Sequence, residues 1–301
     1  MSAATPSTRC LELKLMLRLA TPSAIVSALR LAQSLTDQAV VGHLTRNGKP
    51  TPIYLDSVAL ALLWMMLTLS AIQRGISGTV NTLASQALGA GNRRLADTWL
   101  LMALLVSVPA GFLVGGLWLC TSNVVDLFAH NQSIGHSVDE LLVPEVAAAG
   151  PLSGSHESPV ELAGLYARLS LGMILPTLWM EALNNWLVAQ RVIRPQLVVY
   201  GLCFLLNLFL NVVLVHGVRG VGGYGFAGSP LATTTTRVAQ LLMLLIALPV
   251  CGIAVPRPRL ADACRPARLK VFLAQLAPRT TSSVLEEVAL QAIAALAGHL
   301  E

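Results

Sequence analysis

The sequence predicts an all-α, polytopic membrane protein, a bundle of about seven transmembrane helices. Three observations predict it: the composition, the recurrence of long apolar runs, and the uneven distribution of arginine and lysine between the gaps that separate those runs. Hydrophobic residues make up 54% of the 301 residues, charged residues only 12%, and the mean hydropathy is +0.67. A soluble domain carries about 25% charged residues. The bilayer is therefore the expected solvent.

Apolar stretches of about 20 residues, long enough to cross a bilayer as helices, recur at residues 22–44, 58–83, 99–119, 165–189, 197–215, 231–255 and 271–300. The first follows a short tail, residues 1–20, that carries Arg9, Glu12, Lys14 and Arg18. It is too long for a signal-peptide core and no small-residue cleavage site follows, so it is expected to be retained. Arg9, Lys14, Arg18, Arg93, Arg94, Arg191, Arg194, Arg257, Arg259, Arg265, Arg268 and Lys270 fall in one set of alternate gaps. The opposite set holds only Arg46, Lys49 and Arg219. By the positive-inside rule the N-terminus is expected in the cytoplasm. The gap after the third run agrees, with Asp139, Glu140, Glu145, Glu157 and Glu161 and neither Lys nor Arg. Within it, residues 142–160 are rich in Pro, Gly and Ser and read as a loop insertion.

After the second run comes "TLASQALGAGNRR", residues 82–94. This orientation makes it the inner end of one helix and the tight turn into the next. Its small residues are expected to let helices approach closely, since association in lipid relies on packing. No strand precedes the glycines and no G-K-[ST] follows, which disfavours a phosphate cradle. The glycines of "GVGGYGFAG" read as a turn on the same grounds. Cys10, Cys120, Cys203, Cys251 and Cys264 show no C-x-x-C pairing, and His43, His130, His136, His156, His216 and His299 form no cluster. Neither a metal site nor hydrolytic catalysis has support. The basic residues are scattered rather than gathered on one face, which argues against nucleic acid. Trp64, Trp99, Trp118, Trp179 and Trp186 are expected as interface anchors.

Four blocks resemble the multidrug and toxic compound extrusion (MATE) family of antiporters. "LATPSAIVSALRLAQSLTDQAVVGHL" is similar to the family's first helix and "NNWLVAQRVIRPQL" to the loop after its fourth. "LAQLAPRTTSSVLEEVALQAIAALAG" is similar to its seventh helix. "NTLASQALGAGNRR" is the most specific match, through Ser85, Gln86, Gly89, Gly91 and Asn92, residues expected to serve packing. The family has about twelve helices in two lobes, and the S-Q-A-x-G-A-G-N block has no second copy here. The resemblance therefore implies a cytoplasmic tail at 1–20, a six-helix first lobe at 21–256, a basic linker at 257–270, and at 271–301 the first helix of an incomplete second lobe. The missing second lobe is then the expected partner within a longer form.

A carboxylate at mid-membrane costs roughly 2.5 to 3.5 kcal/mol on insertion scales, so Asp37, Glu181, Glu286 and Glu287 are candidates for function. Asp37 lies two helical turns after Arg30 on one face; a structural ion pair and a proton site are both open. Bacterial relatives place an ionisable aspartate in this region. The resemblance makes Glu286 the helix-seven acid that binds the coupling cation or substrate. Glu287 projects about 100° away, and Gln291 stands where eukaryotic members often carry a second acid. Asn207 and Asn211 share a face at a spacing where bacterial relatives have Asn and Asp. Glu181, with Asn184 and Asn185, reads as a packing or interfacial group; Gln33, Arg74 and Gln86 read as interhelical hydrogen-bonders.

The expected function is a secondary active antiporter that exports small organic, often cationic, compounds in exchange for H⁺ or Na⁺, with no other cofactor, no metal and no enzymatic step. The lipid bilayer and a small organic substrate are its partners. Alternatives are a seven-helix receptor or channel-like protein, or an inactive transporter fragment. A receptor of the common type has its N-terminus outside, opposite to the arginine distribution.

Overall fold

A computed structural model describes residues 6–46, 49–50, 52–132, 158–218, 221–253 and 260–298. Its helices in chain order are α1 (Pro6–Gly42), α2 (Pro52–Met65), α3 (Ala71–Gly89), α4 (Arg93–Leu119), α5 (Thr121–Gln132), α6 (Pro159–Leu169), α7 (Ile174–Ala189), α8 (Arg194–Asn211), α9 (Gly228–Val250), α10 (Leu260–Ala263) and α11 (Pro266–Gly298). Some join end to end. A π-helical turn, Met66–Ser70, fuses α2 to α3, a 3₁₀ turn, Leu171–Met173, fuses α6 to α7, and a second π turn, Val212–His216, extends α8.

The fused rods reproduce the apolar runs of the sequence. Five stretches, 53–89, 93–119, 159–189, 194–216 and 225–250, are long and apolar enough to cross a membrane. At 37 and 33 residues α1 and α11 are long enough, but they interleave more polar residues. The stretch read as an N-terminal tail is helical from Pro6, and the stretch read as a linker to residue 270 already contains α10 and the start of α11. Among the described residues strand structure is confined to two short ladders, Thr45–Arg46 with Lys49–Pro50 and Gly217–Val218 with Val221–Gly222. The glycine-rich stretch thus contributes a short strand and then a 3₁₀ turn, Gly225–Ala227. Most of the acidic, Pro/Gly/Ser-rich gap lies outside the described residues.

Local chemistry explains where the helices stop. The run Ala87 to Asn92 is a Schellman motif: the Asn92 N–H reaches Ala87 O at 2.9 Å, the Gly91 N–H reaches Leu88 O at 3.0 Å, and Gly91 has φ +73°. The Asn92 side chain then caps α4, its Oδ1 accepting from the Leu95 N–H at 3.0 Å. The same pair of bonds closes α7, with Val192 to Leu187 and Arg191 to Val188, and closes α9, with Ile253 to Leu248 and Gly252 to Pro249. All three ends lie on the side that the arginine distribution assigns to the cytoplasm. At the opposite side Ser158 and Glu161 form a capping box on α6.

In the bundle α3 is central, packed against α4, α7 and α11, while α1 lies on α8 and α8 on α9. Apolar side chains dominate its interior, among them the fully buried Ile76, Trp118, Leu178, Trp186 and Leu244. The tryptophans correct an expectation: Trp118 and Trp186 are wholly buried, and the Trp118 indole donates to Thr68 Oγ1 at 2.9 Å. They fasten helices together rather than anchor the bundle at the interface. Gly89 and Gly91 correct another, since a Cβ at either would meet nothing within 4 Å. Ser85 and Gln86 are exposed as well. The block terminates a helix, and of its small residues only Ala84 and Ala87 are buried. Close approach occurs earlier on α3, where a Cβ on Gly75 would lie 2.1 Å from Thr280 Oγ1 of α11.

Candidate functional site: buried polar groups of the first bundle

Three polar clusters cross the helix interfaces. The first is built on Asp37 of α1. Its Oδ1 accepts from the Asn211 amide at 2.7 Å and its Oδ2 from the Thr233 hydroxyl at 2.9 Å, which ties α1 to α8 and α9. Asn211 Nδ2 also donates to Asn207 O at 3.0 Å. Asn207 and Asn211 are fully buried, and the π turn begins immediately after Asn211. Such turns recur at functional sites because they offset side chains from the regular helical ladder. Three polar atoms here have no partner among the described residues: Asn207 Nδ2, Asn211 Oδ1 and Ser229 Oγ. Asp37 is thus held by neutral donors, and among the described residues it makes no ion pair.

That geometry corrects the Arg30–Asp37 pair. Arg30 instead bonds Glu181 of α7 at 3.0 Å, donates to the Tyr200 hydroxyl, and lies 4.8 Å from the centre of the Tyr200 ring. Gln73 donates to Glu181 Oε2 and Asn185 to Glu181 Oε1, both at 3.3 Å, while Asn184 donates to the Tyr200 oxygen at 2.9 Å. Glu181 is therefore the centre of a second cluster joining α1, α3, α7 and α8, and not an interfacial carboxylate. These groups border a cavity of about 150 Å³ whose walls also include Met65, Met66, Trp118, Met180, Arg237 and Gln240.

The third cluster joins α3 to α11. Arg74 pairs with Glu287, and Arg279 donates to Thr82 Oγ1 at 2.9 Å. Arg74 is an interhelical bonder, as expected, and Glu287 is its partner. Glu286, one position earlier, is exposed on the surface of this chain. Gln291 lies on α11, and its side chain falls outside the described part of the structure. Of the other expected hydrogen-bonders, Gln33 is buried with its Nε2 unpartnered and Gln86 is exposed. Asp37, Asn207 and Asn211 thus meet, and α11 contributes a separate polar cluster.

The sequence reading missed Thr233, Tyr200, Gln73, Arg237 and Gln240. Thr233 and Arg237 sit in "LATTTTRVAQ", an apolar-flanked run where an intramembrane arginine was itself the available signal. Among the described residues no group of three or more His, Cys, Asp and Glu side chains could hold a metal ion.

Among the described residues, seven long rods and interior charged groups define a polytopic helical bundle. The MatE family model matches residues 22–143. An uncharacterized transporter of Schizosaccharomyces pombe is 27% identical over 249 residues, which is 82% of this chain and 40% of that protein. Multidrug and toxin extrusion protein 1 of Xenopus tropicalis is 25% identical over 235 residues, 78% of this chain and 35% of that protein. The eukaryotic MATE transporter AtDTX14 superposes with a TM-score of 0.69 at 18% identity, covering 95% of this chain and 56% of that one. The chain is similar to MATE transporters and is an integral multi-pass membrane protein; it spans well under half the length of these curated relatives and about half that of the solved one.

Proposed function

We propose that the chain supplies the first lobe of a secondary active antiporter that moves small organic compounds out in exchange for H⁺ or Na⁺. The observation that carries this is Asp37. It is an intramembrane carboxylate held by neutral donors, with unpartnered oxygens on Asn211 and Ser229. A carboxylate so placed is costly unless a proton or a bound cation neutralises it. Exchange of that neutralising ion between the two sides is what coupling requires. Glu286 is the second coupling group on this reading, exposed on α11 where the second lobe of the longer relatives would cover it. The N-terminus is cytoplasmic, residues 21–256 form the lobe, and residues 271–301 open the second one.

Alternating access needs an opposing bundle, so the 301-residue chain alone is expected to transport nothing. The test uses residues 1–301 joined to the second half of the Xenopus tropicalis relative, reconstituted in liposomes with a fluorescent organic compound and an imposed pH or Na⁺ gradient. Gradient-dependent movement is expected, reduced at least about tenfold by Asp37→Asn. Movement that ignores both gradients, or that survives Asp37→Asn unchanged, contradicts the reading.

A further inference from the structure

The cavity beside Glu181 has an excess of hydrogen-bond donors. Arg30 and Arg237 bring two guanidinium groups to it, and Glu181 is the one carboxylate on its wall. Glu181 is committed to Arg30 at 3.0 Å. Among the described residues Arg237 makes no ion pair, and its one hydrogen bond goes to Gln240 Oε1 at 3.2 Å. That bond uses the acceptor of Gln240, which is 1% exposed, and leaves its Nε2 with no partner. Arg30 Nε is likewise unpartnered. The Tyr200 oxygen already accepts from Arg30 and Asn184, so its own proton must find an acceptor elsewhere. The buried unpartnered nitrogens on this wall, Arg30 Nε and Gln240 Nε2, are both donors.

We infer that this cavity takes the anionic group of an organic substrate, a carboxylate or a similar oxyanion, which Arg237 and the Gln240 amide hold. A guanidinium presents several N–H groups in a planar fork that matches two oxygens of one oxyanion. The volume, about 150 Å³, is well above the ~10–15 Å³ that one water needs on the same measure, room enough for a small acid or the charged end of a larger one. Met65, Met66 and Met180 offer an adaptable apolar wall for its carbon skeleton. The inference rests on the reading of the chain as part of a carrier for small organic compounds, and it narrows that class to anions and zwitterions.

The test measures binding rather than transport. The 301-residue chain in nanodiscs of neutral lipid is titrated with benzoate, benzylammonium and benzyl alcohol, three probes of similar size and different charge, with empty nanodiscs as the blank. Benzoate is expected to bind at least about tenfold tighter than the other two. Arg237→Gln removes that preference without changing the benzyl alcohol affinity, and Arg237→Lys, which keeps the charge, retains most of it. Benzylammonium binding as tightly as benzoate, or a benzoate affinity unmoved in Arg237→Gln, overturns the inference. Repeating the titration in nanodiscs containing anionic lipid separates two sources of oxyanion: an unchanged benzoate affinity assigns the site to a free organic anion, and competitive loss assigns it to lipid headgroups and overturns the inference. Failure of gradient-driven exchange with benzoate binding intact would count against the transport function alone.

Discussion

The contact between α3 and α11 is fixed by Gly75, and Gly75→Ala measures how tightly. An added Cβ would stand 2.1 Å from Thr280 Oγ1 and 3.2 Å from both Thr280 Cβ and Leu276 Cδ1. Carbon contacts are favourable near about 3.5 Å, so turning the Thr280 hydroxyl aside leaves Thr280 Cβ still too close. α11 must move back by a few tenths of an ångström or more. Overpacking of this kind costs about 1–3 kcal/mol, against which alanine returns up to about 1 kcal/mol of helix propensity. Gly116→Ala is the control, a site in the last turn of α4 where a Cβ meets nothing within 4 Å, so it keeps at most the propensity gain alone. The two variants should therefore differ by about 1–3 kcal/mol, with Gly75→Ala the less stable. Unfolding in mixed detergent micelles on a denaturant titration reads the difference, and Thr280→Ala in the Gly75→Ala background, which removes Oγ1 but keeps Cβ, should restore only part of it. Equal stabilities for Gly75→Ala and Gly116→Ala would refute the reasoning.

Three further outcomes are expected from the same unfolding assay. Gly89→Leu should change stability by less than about 0.5 kcal/mol, because its side chain enters open space, whereas Ala87→Leu, at a buried position, should cost about 1–3 kcal/mol. Arg191, with φ 60° at the α7 terminus, occupies the place that glycine fills at the ends of α3 and α9; Arg191→Gly should stabilise by about 1 kcal/mol, and a loss would show that the arginine side chain has a role of its own. Glu287→Gln should lower stability because it removes the partner of Arg74, and Glu286→Gln, at a position exposed on this chain, should leave stability unchanged.

The helical rods were legible because each must present about 20 apolar residues to lipid, and the end of α3 because the arginine distribution places Arg93 and Arg94 at the turn that follows it. The polar partners were not. Arg30 and Asp37 share a face, but seven residues separate them by about 10 Å along the axis, too far for the pair to close. Which of α7, α8 and α9 comes beside each was decided by packing that no local pattern records. Arg237 was overlooked for the opposite reason: it stands inside a span, and arginines tallied by their gaps leave such a residue out. The role of Gly89 was misassigned because small residues at a helix end serve termination and packing alike, and only the neighbouring coordinates distinguish them. Neither π turn has a composition of its own; the one at Met66–Ser70 coincides with Thr68, which back-bonds to Trp64 O at 2.9 Å and receives the Trp118 indole.

The central claim is that Asp37 carries an exchangeable neutralising ion. Infrared difference spectra of the chain in nanodiscs, wild type minus Asp37→Asn, test it directly across a pH series with and without Na⁺. The account predicts a carboxyl signal, absent in Asp37→Asn, that switches between its protonated and ionised forms with pH or shifts on addition of Na⁺. A signal from Asp37 that stays ionised and unmoved by either ion would contradict it.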